Sequence, residues 1–452
     1  MTALTASRFA LWHLEHEARG LLSRLGRVRS FALQETMVPA ASLTVEAQSA
    51  IERFLTGGRR ALRRQVRRFL AWIATPEARA AAPAEAQRRF TLLRLRFNVV
   101  LSHFDIFSEA LSQRSEAENG VWLAGLDVAA RDALELPGVM EAPPVVCYLA
   151  RGPGAAIRRA RTRLPGGAQN PVAIIRMPRE RMVGSGIASS LVHEVGHQGA
   201  ALLDLVASLR AAMPAPAGAW SWWRLWISEI VADLWSVARL GAASTVGLIG
   251  VVSLPSPFVF RITPDDPHPP PYLRVKLSAA VGEALYPHPQ WRRLVAMWES
   301  FYDVARLPPH QRAVYAELEA SLPAFVAFLV GHRPPRLGGP SLGEALPGRE
   351  RHPARLAEAF ASWQERPALL RRAAPTLAFA GLGQARLDGL LEPEDEGDLV
   401  ASLLRHWAWR ATVDVSEVCA AMRRPAAAAS PPRLPRLPRL TVVPRLAANH
   451  GT

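Results

Sequence analysis

His193-Glu194-Val195-Gly196-His197 decides how this chain is read. The pentapeptide lies in a run that reads as helix. Residues four apart on a helix share a face, so both imidazoles can point at one metal ion. Glu194, beside the first histidine, can then reach a water next to that ion. Two histidine ligands and a glutamate base at this spacing form the helix of a zinc hydrolase. Ser185-Gly186 or Ser189-Ser190 is expected to cap the helix, which should run to about Arg210.

A catalytic metal needs a third protein ligand and an open position for water. A histidine six residues past His197 would serve, but Leu203 stands there. The loop Met213-Pro214-Ala215-Pro216-Ala217-Gly218 breaks the chain, and a second helix is expected from about Trp222 to a stop at Gly241. It carries Ser228-Glu229-Ile230-Val231-Ala232-Asp233. Glu229 and Asp233 are four apart and share a face. Trp222, Trp223, Trp226, Ile230, Leu234 and Trp235 make most of this helix apolar, and two acids inside it require polar partners. Glu229 is expected to be the third ligand. Asp233 is expected to accept a hydrogen bond from a ligand imidazole and so fix its tautomer.

Further on comes His268-Pro269-Pro270-Pro271-Tyr272-Leu273-Arg274. The order HExGH, ExxAD, HPxxxxR resembles the motif set of gluzincin metallopeptidases similar to the CAAX prenyl protease and its soluble relatives. His193, Glu194, Gly196 and His197 match the first motif. Glu229, Ala232 and Asp233 match the second, and His268, Pro269 and Arg274 the third. The resemblance covers about 145–275. It implies a zinc (Zn2+) cofactor held by the two histidines and Glu229. It also implies that His268 and Arg274 lie close to the reaction centre, where either would stabilise an oxyanion. The spacing from His197 to Glu229 is shorter than is usual in that family, and the membrane helices of its prenyl-protease members are not evident. His288-Pro289 and His352-Pro353, followed by Arg292 and Arg355, are competing HP pairs.

Around these motifs the chain reads as mainly α with a small β-sheet, a zincin-like core flanked by helical regions. Residues 1–138 look wholly helical. Arg59, Arg60, Arg63, Arg64, Arg67 and Arg68 form a basic stripe opposite Leu62, Val66, Phe69, Leu70 and Ile73, and the favoured reading of that stripe is a solvated face. Val145-Val146-Cys147-Tyr148-Leu149-Ala150 and Pro171-Val172-Ala173-Ile174-Ile175-Arg176-Met177 read as strands, separated by a basic segment and the turn Pro165-Gly166-Gly167. Residues 139–335 are expected to form the metallopeptidase core. Residues 333–349 look like a linker, and a C-terminal helical region is expected over 336–423. The tail 424–452, spaced by proline and arginine, is expected to be disordered.

Composition sets the remaining bounds. Only Cys147 and Cys419 are present, so a disulfide framework and a Cys-rich zinc module are excluded. The net charge is +15, almost all of it arginine, with Lys276 the only lysine. Rich in alanine and proline as well, the chain looks encoded by a GC-rich bacterial genome. No nucleic-acid module is recognisable. The N-terminus lacks the pattern of a signal peptide, and a cytoplasmic, soluble protein is expected. The uncharged segment 240–260 is expected to be a buried helix followed by an apolar loop, not a membrane span. The expected partner is a protein or peptide substrate. The alternatives are a non-catalytic metal-binding scaffold and a helical protein that binds anions or nucleic acid.

Overall fold

The computed structural model describes residues 3–28, 31, 38–152, 154–179, 184–346 and 348–422. Cys419 and the 424–452 tail have no described side chains, so the disorder expected there lies outside the described residues. Helix makes up 75% of the structure and the sheet has three strands, so the fold is mainly α with a small β-sheet. Residues 1–412 form one compact unit; the second unit, 413–452, is described only as helix to Met422.

The N-terminal helices α1 (Ala3–Arg27), α2 (Val45–Ile73), α3 (Pro76–Ala80) and α4 (Pro83–Ser112) come first. In α2 the buried residues are Ala47, Ile51, Leu55, Leu62, Val66, Phe69 and Ile73, one apolar stripe at helical spacing. They join the apolar faces of α1 and α4 in one core. On the arginine stripe, Arg60, Arg64, Arg67 and Arg68 are exposed, as a solvated face requires.

Next come α5 (Ala117–Leu134) and the strands β1 (Val145–Ala150), β2 (Ala156–Arg158) and β3 (Ala173–Pro178). Their order is β1-β3-β2, with β1 parallel and β2 antiparallel to β3. Both faces of the sheet are covered. Val145, Cys147, Leu149, Ala173, Ile175 and Met177 pack into the large central core, whereas Val146 and Ile174 pack into the N-terminal core. The period-2 alternation of side chains thus joins two hydrophobic cores. The outer edge of β1 is closed by side chains. Gln113 bonds Leu149 through both its carbonyl and its amide (2.8 and 2.7 Å). Asp127 accepts from the Cys147 N–H (2.7 Å), and Arg114 donates to the Cys147 carbonyl (2.7 Å). β2, the other edge, was not foreseen: three residues within a basic segment carry no strand pattern.

The rest is helical: α6 (Gly186–Leu202), α7 (Leu205–Ala212), α8 (Ala219–Leu240), α9 (Ala242–Val252), α10 (Ser256–Val259), α11 (Pro271–Leu285), α12 (Gln290–Phe301) and α13 (Pro309–Gly331). These are followed by α14 (Leu342–Ala345), α15 (Pro353–Glu365), α16 (Pro367–Arg372), α17 (Pro375–Leu387) and α18 (Pro393–Met422). Many begin on proline, whose fixed φ and missing N–H suit the first helical position. α6 is shorter than expected, because Asp204 turns left-handed (φ 55°) and splits off α7. Ser185 stands at its N-cap without making a side-chain cap bond. The uncharged segment 240–260 forms α9 and α10, and α9 is largely buried. Among the described residues, only α13 is long and apolar enough to cross a membrane; Tyr315, Leu318, Leu322, Phe325 and Leu329 of it lie in the core. The stretch 333–349 is packed, not a free linker. Leu337, Leu342 and Leu346 are buried in the central core, and Ser341 and Glu344 form a capping box.

Arg114 and Asp127 form a buried ion pair (3.0 Å, side chains 0% and 4% exposed). Arg114→Ala leaves the carboxylate buried and unpaired, so it is expected to cost about 3–5 kcal/mol of stability. Urea unfolding of both proteins measures this.

Candidate metal centre

The centre is built where α6 meets α8. A Cβ on Gly196 would lie 2.9 Å from Ala232 Cα and from its carbonyl oxygen, and one on Gly199 would lie 2.6 Å from the Trp235 ring. The glycine of HExGH and the alanine of ExxAD therefore let the two backbones touch. Glu229 then reaches across to both histidines. Its Oε2 is 3.3 Å from His193 Nε2 and its Oε1 is 3.5 Å from His197 Nε2. The donor atoms of His193, His197 and Glu229 all lie within 4.8 Å of one another.

These residues fit a metal ion. Donors around a tetrahedral ion with bonds of about 2.0–2.1 Å stand about 3.3 Å apart. Orientation agrees with distance. His193 Nδ1 is 2.8 Å from Asp233 Oδ1, so the Nδ1 proton is held there and the Nε2 lone pair faces Glu229. Glu229 Oε2 is buried and accepts no hydrogen bond among the described residues. A lone pair and a carboxylate oxygen facing each other call for a cation between them. A proton is the substitute. Burial opposes charge on His193, but the charge and hydrogen bond of Asp233, with help from Glu229, raise its pKa to about 9. Glu229 is held far below the usual carboxylate range: burial opposes this, but its histidine contacts prevail.

Arg274, in the first turn of α11 after three prolines, donates to both oxygens of Asp233 (Nε–Oδ2 2.7 Å, Nη2–Oδ1 2.9 Å). The guanidinium is only 11% exposed. Arg274 therefore orients Asp233, which orients His193. His268 stands differently, 49% exposed. Its Nε2 is 3.3 Å from Glu229 Oε2, yet it is outside the mutually close donor set. Asp266 holds its Nδ1 (2.7 Å) and also accepts from its backbone N–H (3.0 Å). Asp266 escaped the sequence reading, although an acid two residues before the HP histidine was there to be seen.

The competing HP pairs meet each other, their rings 6.1 Å apart. His288 Nδ1 accepts from Gln290 N–H (3.4 Å) and His352 Nδ1 from Ala354 N–H (3.3 Å), so both serve helix starts. Glu194 is buried, and burial raises its carboxyl pKa against the opposing pull of His193 and His197. It lines a cleft of about 160 Å3 together with His193, Asp233, His268 and Arg274. Gly154 and Ala155, just before β2, and the hydroxyl residues Ser189, Ser190, Ser236 and Ser244 complete much of the wall.

No family model matches the chain, and no curated protein or solved structure matches it.

About one divalent metal ion per chain is expected by elemental analysis, and none in the His193→Ala, His197→Ala double mutant. Asp233→Asn should keep the stoichiometry at saturating metal but weaken affinity ~10- to 100-fold in chelator competition.

Proposed function

We propose that the chain is a zinc-dependent peptidase of the gluzincin kind, with Glu194 as its general base. The observation that carries this reading is the shared cleft. Glu194 and His193 open into one space, beside His268 and Arg274, while among the described residues only three form the close donor set. A purely structural metal has no use for an adjacent buried base or for an open position. Two imidazoles and one carboxylate favour zinc over hard cations that prefer all-oxygen shells.

When bound, zinc supplies Lewis-acid polarisation of the scissile carbonyl and makes water acidic near neutral pH. Glu194 takes the proton as water attacks that carbonyl, then delivers it to the leaving amine. His268 gives its Nδ1–H to Asp266, and its pKa is raised by Glu229 against burial; as the imidazolium it is placed to donate from Nε2 to the developing oxyanion. Arg274 is a positioning residue, because its Nε and Nη2 are engaged by Asp233. The substrate backbone is offered the sheet edge at β2, since β1 is closed by Gln113, Arg114 and Asp127. Extended peptides add to such edges through main-chain hydrogen bonds. Gln198 of α6 holds the Ala160 N–H (2.8 Å), which ties that edge to the metal helix.

Glu194→Gln keeps size and polarity but cannot take a proton. Zinc content and thermal midpoint should match wild type, while hydrolysis of labelled casein should fall at least ~10²-fold. Loss of the metal in this variant would make Glu194 a ligand; full activity would move the chemistry elsewhere. Either result rejects the mechanism. His268→Ala should also keep one zinc and lower kcat more than it raises KM.

A further inference from the structure

Trp222, Trp226, Glu229 and Asp233 follow one another on α8 at spacings of four, three and four, so they form one stripe along the helix. The two acids belong to the metal centre. Trp222, seven residues before Glu229 and about 10 Å along the axis, lines a separate cavity of about 830 Å3. Phe260 and Arg261 form another part of its wall, in the segment that runs on to Asp266 and His268. α13 contributes Val314 and Tyr315.

The chemistry of this chamber differs from that of the metal cleft. Its walls are aromatic: Phe260 and Tyr315 meet edge-on at 5.6 Å, and Trp222 stacks on Trp226 at 5.3 Å. Tyr315 is 1% exposed, and its hydroxyl has no hydrogen-bond partner among the described residues. Burial raises the pKa of this phenol, so it stays a neutral donor without an acceptor, which costs free energy. The charged lining is net cationic: Arg261 and Arg306 stand against one acid, Asp303. Asp303 already pairs with Arg306 (3.5 Å). Burial opposes charge on Asp266, but its bonds from His268 prevail and hold it below its ordinary pKa, with the charge of Arg261 the smallest contribution.

We propose that this cavity is a substrate subsite, an inference that rests on the peptidase reading. It takes a large aromatic or branched aliphatic side chain of a peptide, with an acidic neighbour that meets Arg261. The 10 Å between Trp222 and Glu229 along α8 equals about three residues of extended chain, so this side chain lies about three positions from the bond cut. The volume exceeds that of one side chain and leaves room for neighbouring backbone.

Digesting proteome-derived peptides with the zinc-loaded protein, and reading the cut sites by mass spectrometry, tests this. Phe, Tyr, Trp and Leu should be enriched about three positions from the cut, beside Asp or Glu. Gln311→Trp and Val314→Trp, which fill the cavity from exposed and half-buried positions, should each reduce that enrichment ~10-fold while cutting continues. Arg261→Glu should weaken the acidic preference by more than it weakens the preference for the large side chain. Cutting with no such preference, or with one unchanged in both filling variants, overturns the subsite and leaves the peptidase standing. In parallel, acetyl-Asp-Phe-Ala-amide is titrated calorimetrically into Glu194→Gln, with and without Gln311→Trp. If no peptide is cut, this titration decides. Binding that disappears on filling keeps the cavity as a peptide site and rejects the peptidase; no binding to either protein overturns the cavity as well.

Discussion

Backbone contact between α6 and α8 at Gly196 and Ala232 is the constraint on which the centre depends. Any side chain at Gly196 would meet main-chain atoms that cannot swing aside, so overpacking there would push the helices apart, at about 1–3 kcal/mol or more. The chemical loss would exceed the energetic one. Glu229 reaches the two histidines only because the helix axes approach this closely, and an extra ångström would break a donor set whose gaps are 3.3 and 3.5 Å. The apolar faces of both helices, with Val192, Val195, Ile230 and Trp235 all in the central core, press them together.

Within that contact runs a chain of charged groups: Arg274 to Asp233, Asp233 to His193, His193 to Glu229, and Glu229 to His268. Buried charges persist only when paired, and here each pairing also sets an orientation. Arg274 fixes the Asp233 carboxylate with two bonds, Asp233 fixes the His193 tautomer, and the imidazole presents its free nitrogen to the metal position. The site is thus organised before a metal arrives. Such organisation suits a metal ion, which these residues could hold at a defined geometry. The C-terminal helices support it from behind: Gly383 of α17 lies so close to α9 that a Cβ there would sit 2.4 Å from Ala243 Cβ.

What the sequence by itself determined lies within single elements of secondary structure. His193 and His197, and likewise Glu229 and Asp233, share a face because helical geometry is local and its period is known. The apolar setting of the two acids announced that they had partners. The strands β1 and β3 and the helix stop at Gly241 were legible for the same reason. Tertiary structure alone decided the rest. Residues 193, 229, 268 and 274 converge from three helices and a loop, and no spacing in the chain encodes how those pieces pack. Packing made Arg274 the partner of Asp233, brought Asp266 to His268 and sent His288 and His352 to the starts of other helices. It also turned the proline-rich 333–349 stretch into part of the core, because Leu337, Leu342 and Leu346 find apolar partners there that are distant in sequence. β2 exists only because β3 offers it an edge to pair with: three residues cannot form a strand alone.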